Sequence, residues 1–314
     1  MLPENAKNAL NGWIKAATPI IEKMTGQSDI SWPDARASYV DDLDKLFPAP
    51  EGVSFRHVDL GGVSTMLVTP DNVIEGRVLF YVHGGGYVHG GVKAYRGLAG
   101  HYAKQLRAQV YVPDYRQAPE YPFPLPIDDT FNAYRALLEQ GGDPRTLAIS
   151  GDSAGGAMIV TIMRKARDAK LPLPAAAVAI SPWADLTHCG VSARIRNGID
   201  PICTTDFLDQ LAALFLAGEL PTNPDASPIF ADVRGLSPTL IQIGENEVML
   251  HGATRLASHL GENRVRTTLE VWPGMFHVWH IFSGLLPEAD HALRNAVRFI
   301  DDAFTSELDT NEQA

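Results

Sequence analysis

Seven short apolar runs alternate with longer helical patterns along this chain, and that alternation limits the folds open to it more than any other feature. The runs are VSTMLVTP (63–70), RVLFYV (77–82), AQVYVPDY (108–115), TLAIS (146–150), AAAVAIS (175–181), PTLIQIG (238–244) and TTLEVW (267–272). Helical periodicity occupies 95–107, 127–140, 155–169, 250–261 and 288–304, and in the second of these Ile127, Phe131, Tyr134 and Leu138 share one face. Near-continuous apolar strands separated by helices are the pattern of a sheet buried on both faces. The expected class is α/β, with a mostly parallel central sheet of about eight strands flanked by helices.

Two segments fall outside this rhythm. Residues 190–225 interrupt it with TTDFLDQLAALFLAG (204–218), an apolar helix with no strand before it. They read as an insertion over one end of the sheet, dividing a core of 46–189 and 226–314. The first 45 residues precede the core. Within 5–24, Leu10, Trp13, Ile14, Ala17 and Ile21 recur at helical spacing. Such a stripe must be covered, since each large side chain fully buried contributes ~1.5–3 kcal/mol. The sheet faces already have their helices, so the open place is the C-terminal edge, beside the insertion.

The 314 residues are 45% hydrophobic and 20% charged, ordinary values for a chain that buries a substantial core. A net charge of −11 repels nucleic acid and anionic membrane, so neither is an expected partner. No signal peptide and no apolar run of membrane-spanning length are evident, and a cytoplasmic location is expected. Cys189 and Cys203 read as free thiols.

The chemistry centres on TLAISGDSAGGAMIV (146–160), in which a strand enters GDSAGG and leaves as a helix. Gly151-Asp152-Ser153-Ala154-Gly155 matches G-x-S-x-G. Alone the match is weak, since at ~7% per fixed residue chance yields roughly 0.1 occurrences in such a chain. The strand–turn–helix context gives it meaning: the turn strains the central residue and exposes its Oγ at the sheet edge. Side chains at 151 and 155 would collide with the neighbouring strand and helix. A serine nucleophile needs a base, and the base an orienting acid, in the chain order Ser, Asp/Glu, His. ENEVML, after the strand PTLIQIG, offers Glu245 and Glu247. PGMFHVWH, after TTLEVW, offers His277 directly behind the strand, and His280 about a turn further, at the cavity rim or surface.

YVHGGGYVHGG (81–91) then finds a use. It follows the strand RVLFYV, where backbone N–H groups can face a developing oxyanion. Gly84, Gly85, Gly86 and Ala154 are the candidate donors. Phosphate binding is disfavoured without G-K-[ST] or G-x-G-x-x-G, and His83 with His89 lacks a third metal ligand, so no metal is expected.

With HGGGY (83–87), DYRQAPEYPFP (114–124), GDSAGG (151–156), SPWADLT (181–187), SPIFADVRGLSPTLIQIGENEVML (227–250) and PGMFHVW (273–279), the chain resembles the hormone-sensitive-lipase-like α/β-hydrolases, the bacterial family IV esterases, over residues 60–305. The resemblance implies an α/β-hydrolase fold with a cap made from the N-terminal helices and the insertion. It also implies a serine carboxylesterase for short-to-medium acyl esters, with no cofactor. Ser153 is then the nucleophile, His277 the base and Glu247 the acid. Many members carry Asp-Pro-Leu where this chain has Glu247-Val248-Met249, and leucine where it has Gln117. Tyr115, Arg116 and Glu120 are expected to hold the loop beneath the oxyanion glycines. Trp13, Tyr87, Trp183, Phe207, Leu211 and Phe215 are the pocket candidates. The expected partner is a small-molecule ester, and a homodimer is admitted. Lactones, carbamates and aryl amides are alternative substrates for the same machinery. A non-catalytic receptor on this fold is the rival of another class.

Overall fold

The computed structural model describes residues 2–309. Its centre is an eight-stranded sheet in the order β1-β2-β4-β3-β5-β6-β7-β8. The strands are β1 (Val53–Leu60), β2 (Val63–Pro70), β3 (Val78–Val82), β4 (Gln109–Pro113), β5 (Leu147–Asp152), β6 (Ala176–Ile180), β7 (Thr239–Gly244) and β8 (Thr267–Trp272). β1 pairs with β2, and β2 with β4, antiparallel; every other pairing is parallel. The seven expected strands are all present. β1 is the additional one: VSFRHVDL is half-exposed at the sheet's edge and has no continuous apolar run.

Alternate residues feed two hydrophobic layers, as strand geometry requires. Phe80 and Val82 join Leu147, Ile149 and Met158 on one face, while Leu79 and Tyr81 join Val178, Leu98 and Leu293 on the other. The helices α5 (Leu125–Glu139), α6 (Ala154–Asp168) and α9 (Leu250–Glu262) cover the first face; α4 (Arg96–Leu106) and α10 (Pro287–Asp309) cover the second.

The N-terminal region forms α1 (Glu4–Ala16), α2 (Thr18–Met24) and α3 (Trp32–Leu46). The expected single helix over 5–24 is broken at Ala17, where Pro19 stands in the first turn of α2 and contributes no N–H. The stripe anticipated as buried is only partly so. Ala6, Ala9, Trp13, Ala16 and Ile20 form the packed face, whereas Ile14 and Ile21 are 43% and 41% exposed. Helix α3 starts on Ser31, whose side chain accepts the Asp34 N–H, followed by proline in the first turn. The insertion contains α7 (Val191–Ile195) and α8 (Thr205–Leu216), the latter capped by Thr204. Among the described residues no helix is long and apolar enough to cross a membrane.

Candidate active site

Ser153 sits between β5 and α6 with φ 54° and ψ −120°, a conformation that costs a non-glycine residue energy and persists only where the surroundings enforce it. They do so here. The Ser153 N–H is held by the Ile180 carbonyl at 2.9 Å, and its own carbonyl accepts the Trp183 N–H at 2.9 Å. The turn is also tight: a Cβ on Gly155 would run into the Val82 carbonyl oxygen.

The Ser153 Oγ lies 2.9 Å from His277 Nε2, and His277 Nδ1 lies 2.8 Å from Glu247 Oε2. Glu247 is fully buried, and its Oε1 accepts the Gly244 N–H at 2.6 Å and the Ser181 hydroxyl at 2.7 Å. Glu245 is elsewhere: its carboxylate takes the Gly274 N–H at 3.0 Å and faces Arg196 at 3.7 Å. Burial disfavours an imidazolium at His277, but the adjacent Cys203 sulfur and the Glu247 carboxylate outweigh it and hold the group well above its ordinary value. Burial pushes the Cys203 thiol up.

His280 is not at the rim. It is fully buried, its Nε2 lies 2.9 Å from Gln242 Oε1, and its ring packs on Trp279. It lies in a single 3-10 turn, Trp279–Phe282, whose four residues are all buried, and this carries His280 into the core.

The glycine-rich loop folds over Asp152. Gly84 donates its N–H to the Tyr95 hydroxyl at 3.0 Å and to Asp152 Oδ1 at 3.1 Å, so it is spent on the scaffold and withdrawn from the candidate oxyanion donors. The N–H groups of Gly85, Gly86 and Ala154 have no protein acceptor among the described residues. Gly85 and Gly86 adopt φ +110° and +60°, and a side chain at Gly85 would strike the His89 carbonyl. Asp152 also accepts from Tyr81 and Tyr95, each at 2.8 Å. Burial lifts its carboxyl to about 6, despite those bonds and the nearby His277.

Tyr115 holds the loop from beneath, its hydroxyl donating to the His83 carbonyl at 2.9 Å. Gln117 Nε2 reaches the His89 carbonyl at 3.2 Å. Arg116 instead makes a bidentate pair with Asp129. Glu120 acts through Arg36 of α3, which binds the Glu120 carboxylate and donates to the Val88 and Ala118 carbonyls.

Above Ser153 lies a chamber of about 40 Å³, walled by Gly85, Gly86, His277, Cys203, Leu208 and Leu211 among others. Trp13, Tyr39, His89, Ile202 and Phe207 belong both to this wall and to that of an outer cavity of about 310 Å³, so the two adjoin. Ile14, Ala17 and Ile21 line the outer cavity, which is where the half-exposed N-terminal stripe points. Of the six pocket candidates, Trp13, Phe207 and Leu211 line this space. Tyr87, Trp183 and Phe215 do not: Tyr87 stacks on Phe215 at 3.7 Å and 6°, packing the insertion against the core, and the Trp183 indole donates to His188. Tyr39, His89, Ile202 and Cys203 were missed as wall residues. Tyr39 stands on a helix that apolar periodicity alone did not reveal, and Ile202 and Cys203 on irregular chain.

Comparison with known proteins agrees with this architecture. A family described as having the alpha/beta hydrolase fold matches residues 79–281. An acetyl-hydrolase of Streptomyces hygroscopicus is 42% identical over 72% of this chain and 76% of its own length. An esterase of Acinetobacter venetianus is 31% identical over 85% of this chain and 88% of its own. The crystal structure of an esterase from the bacterial hormone-sensitive lipase family superposes with a TM-score of 0.89 at 33% identity, covering 97% of this chain and 99% of that one.

Proposed function

The chain belongs to the hormone-sensitive-lipase-like esterases of the α/β-hydrolase family and is a carboxylic ester hydrolase, and within that family we propose that it cleaves short-to-medium acyl esters through a Ser153–His277–Glu247 triad. The observation that carries this reading is the unbroken hydrogen-bonded chain from Ser153 Oγ to Glu247 at a strained elbow, beside three unengaged N–H groups.

Ser153 Oγ attacks the ester carbonyl while His277 Nε2 takes its proton. The carbonyl oxygen becomes an oxyanion that Gly85, Gly86 and Ala154 are placed to receive; each such donor typically supplies ~3 kcal/mol to the transition state. His277 returns the proton to the leaving alcohol, and the acyl-enzyme remains. Water, deprotonated by the same imidazole, attacks the acyl carbon and releases the acid and the free serine. Glu247 keeps its carboxylate and holds the Nδ1–H tautomer throughout.

A panel of p-nitrophenyl esters from acetate to decanoate, run beside lactones and aryl amides, tests the reading. Turnover concentrated on the shorter esters is expected. Preference for the lactones or amides would replace it.

A further inference from the structure

His89 follows the oxyanion glycines in the same turn. Its N–H is bonded to the Gly85 carbonyl at 2.9 Å, and Gln117 clamps its own carbonyl, so the residue is fixed relative to the scissile bond. The ring edge meets Tyr39 with centroids 4.9 Å apart, and Phe207 lies on another side.

The residue is 8% exposed; its Nδ1 is buried without a hydrogen-bond partner, and Nε2 has no protein partner among the described residues. Other buried polar atoms are also unpaired, among them those of His83, Tyr87 and His280. None of these belongs to the walls around Ser153, whereas His89 stands at the junction of the inner chamber and the outer cavity. A buried polar group left unpaired costs stability, and native proteins retain few without a role. Burial, with the charge of Arg36, pushes its pKa down to about 3. It is therefore a neutral ring with one N–H donor and one lone pair, able to take an ether, carbonyl or hydroxyl oxygen or an amide N–H.

Resting on the esterase reading above, we propose that His89 is a specificity-determining residue that hydrogen-bonds a polar group in the half of the substrate filling the outer cavity. The favoured class is then esters bearing an oxygen or an N–H a few bonds from the scissile carbonyl, over purely alkyl esters of the same shape.

The test compares isosteric pairs in which one methylene is replaced by oxygen. On the acyl side the pair is p-nitrophenyl pentanoate and p-nitrophenyl 3-methoxypropionate. On the alcohol side it is pentyl acetate and 2-ethoxyethyl acetate. For each pair the ratio of kcat/KM, oxygen over methylene, is measured in the native enzyme and in His89→Phe. Intrinsic ester reactivity cancels between the two proteins. The ratio is expected to fall about fivefold in at least one pair, the worth of one neutral hydrogen bond. His89→Gln, which keeps a donor and an acceptor, should restore part of it. If the phenylalanine variant does not fold, His89→Leu carries the same comparison. A ratio that moves by less than twofold in both pairs overturns the assignment of His89 and leaves the esterase reading standing. Absence of turnover on all four esters overturns the esterase reading, and the His89 proposal with it.

Discussion

Glu247 and His277 are locked together from both sides. The carboxylate oxygen that does not face the ring accepts the Ser181 hydroxyl, and Ser181 in turn accepts the N–H of Val278, the residue after His277. The acid thus fixes the ring directly, at 2.8 Å, and also the backbone that carries it.

Glu247→Gln should therefore lower kcat by ~10³–10⁴, the usual cost of losing the charge that sets the imidazole tautomer. Glu245→Gln should cost less than about tenfold, since that carboxylate only steadies Gly274. Steady-state kinetics on one ester decides between them. A larger loss at Glu245 would reverse the acid assignment.

The pH profile follows from the surroundings of the His277 ring, where the Cys203 sulfur and the Glu247 carboxylate both raise its pKa against burial. Proton transfer from Ser153 needs neutral His277, whose pKa is raised above 6.5. Raising the pKa extends the protonated, inactive form to higher pH. kcat/KM should then be lost as pH falls through a midpoint above 6.5, and Glu247→Gln should move that midpoint down as the attraction disappears. An unmoved midpoint would detach the raised pKa from Glu247.

Acyl preference should answer to Leu211, which is buried in the chamber wall and meets the site of a Gly86 Cβ. Leu211→Ala should cost ~2–5 kcal/mol of stability by denaturant titration and shift the best p-nitrophenyl ester to a longer chain. Unchanged chain-length preference in a folded variant would place the acyl group elsewhere.

The N-terminal helices should act on binding. Trp13 donates to the Tyr39 hydroxyl at 2.9 Å, and Ile14 and Ile21 face the outer cavity. Deleting residues 1–30 should leave a folded sheet domain, with the helical signal of α1 and α2 lost from its circular dichroism, but alter kcat/KM across the ester series, with KM raised. Identical constants across the series would make the segment a bystander.

How far the sequence could be read depended on how local each cause was. The Ser153 elbow is set by neighbours in the chain, so GDSAGG between a strand and a helix was legible. His277 was legible because the loop behind β8 is short. Glu247 and Glu245 are two residues apart with the same chemistry, and only the direction of the loop after β7 separates them. Tyr87 and Phe215 match pocket and core equally well by residue type, and their stacking is a contact across 128 residues of chain. Helix α3 carried its signal in Ser31-Trp32-Pro33-Asp34, a cap and first turn that apolar periodicity does not detect. As a wall residue His89 was not legible, because its surroundings come from α3 and the insertion.

The most direct measurement of the central claim is stoichiometric labelling with a fluorophosphonate, mapped by peptide mass spectrometry. The account predicts one adduct per chain, on Ser153, appearing in step with loss of ester turnover. It also predicts no adduct and almost no turnover in a folded Ser153→Ala variant. An adduct on another serine, or a Ser153→Ala variant that still hydrolyses esters at a near-native rate, would contradict it.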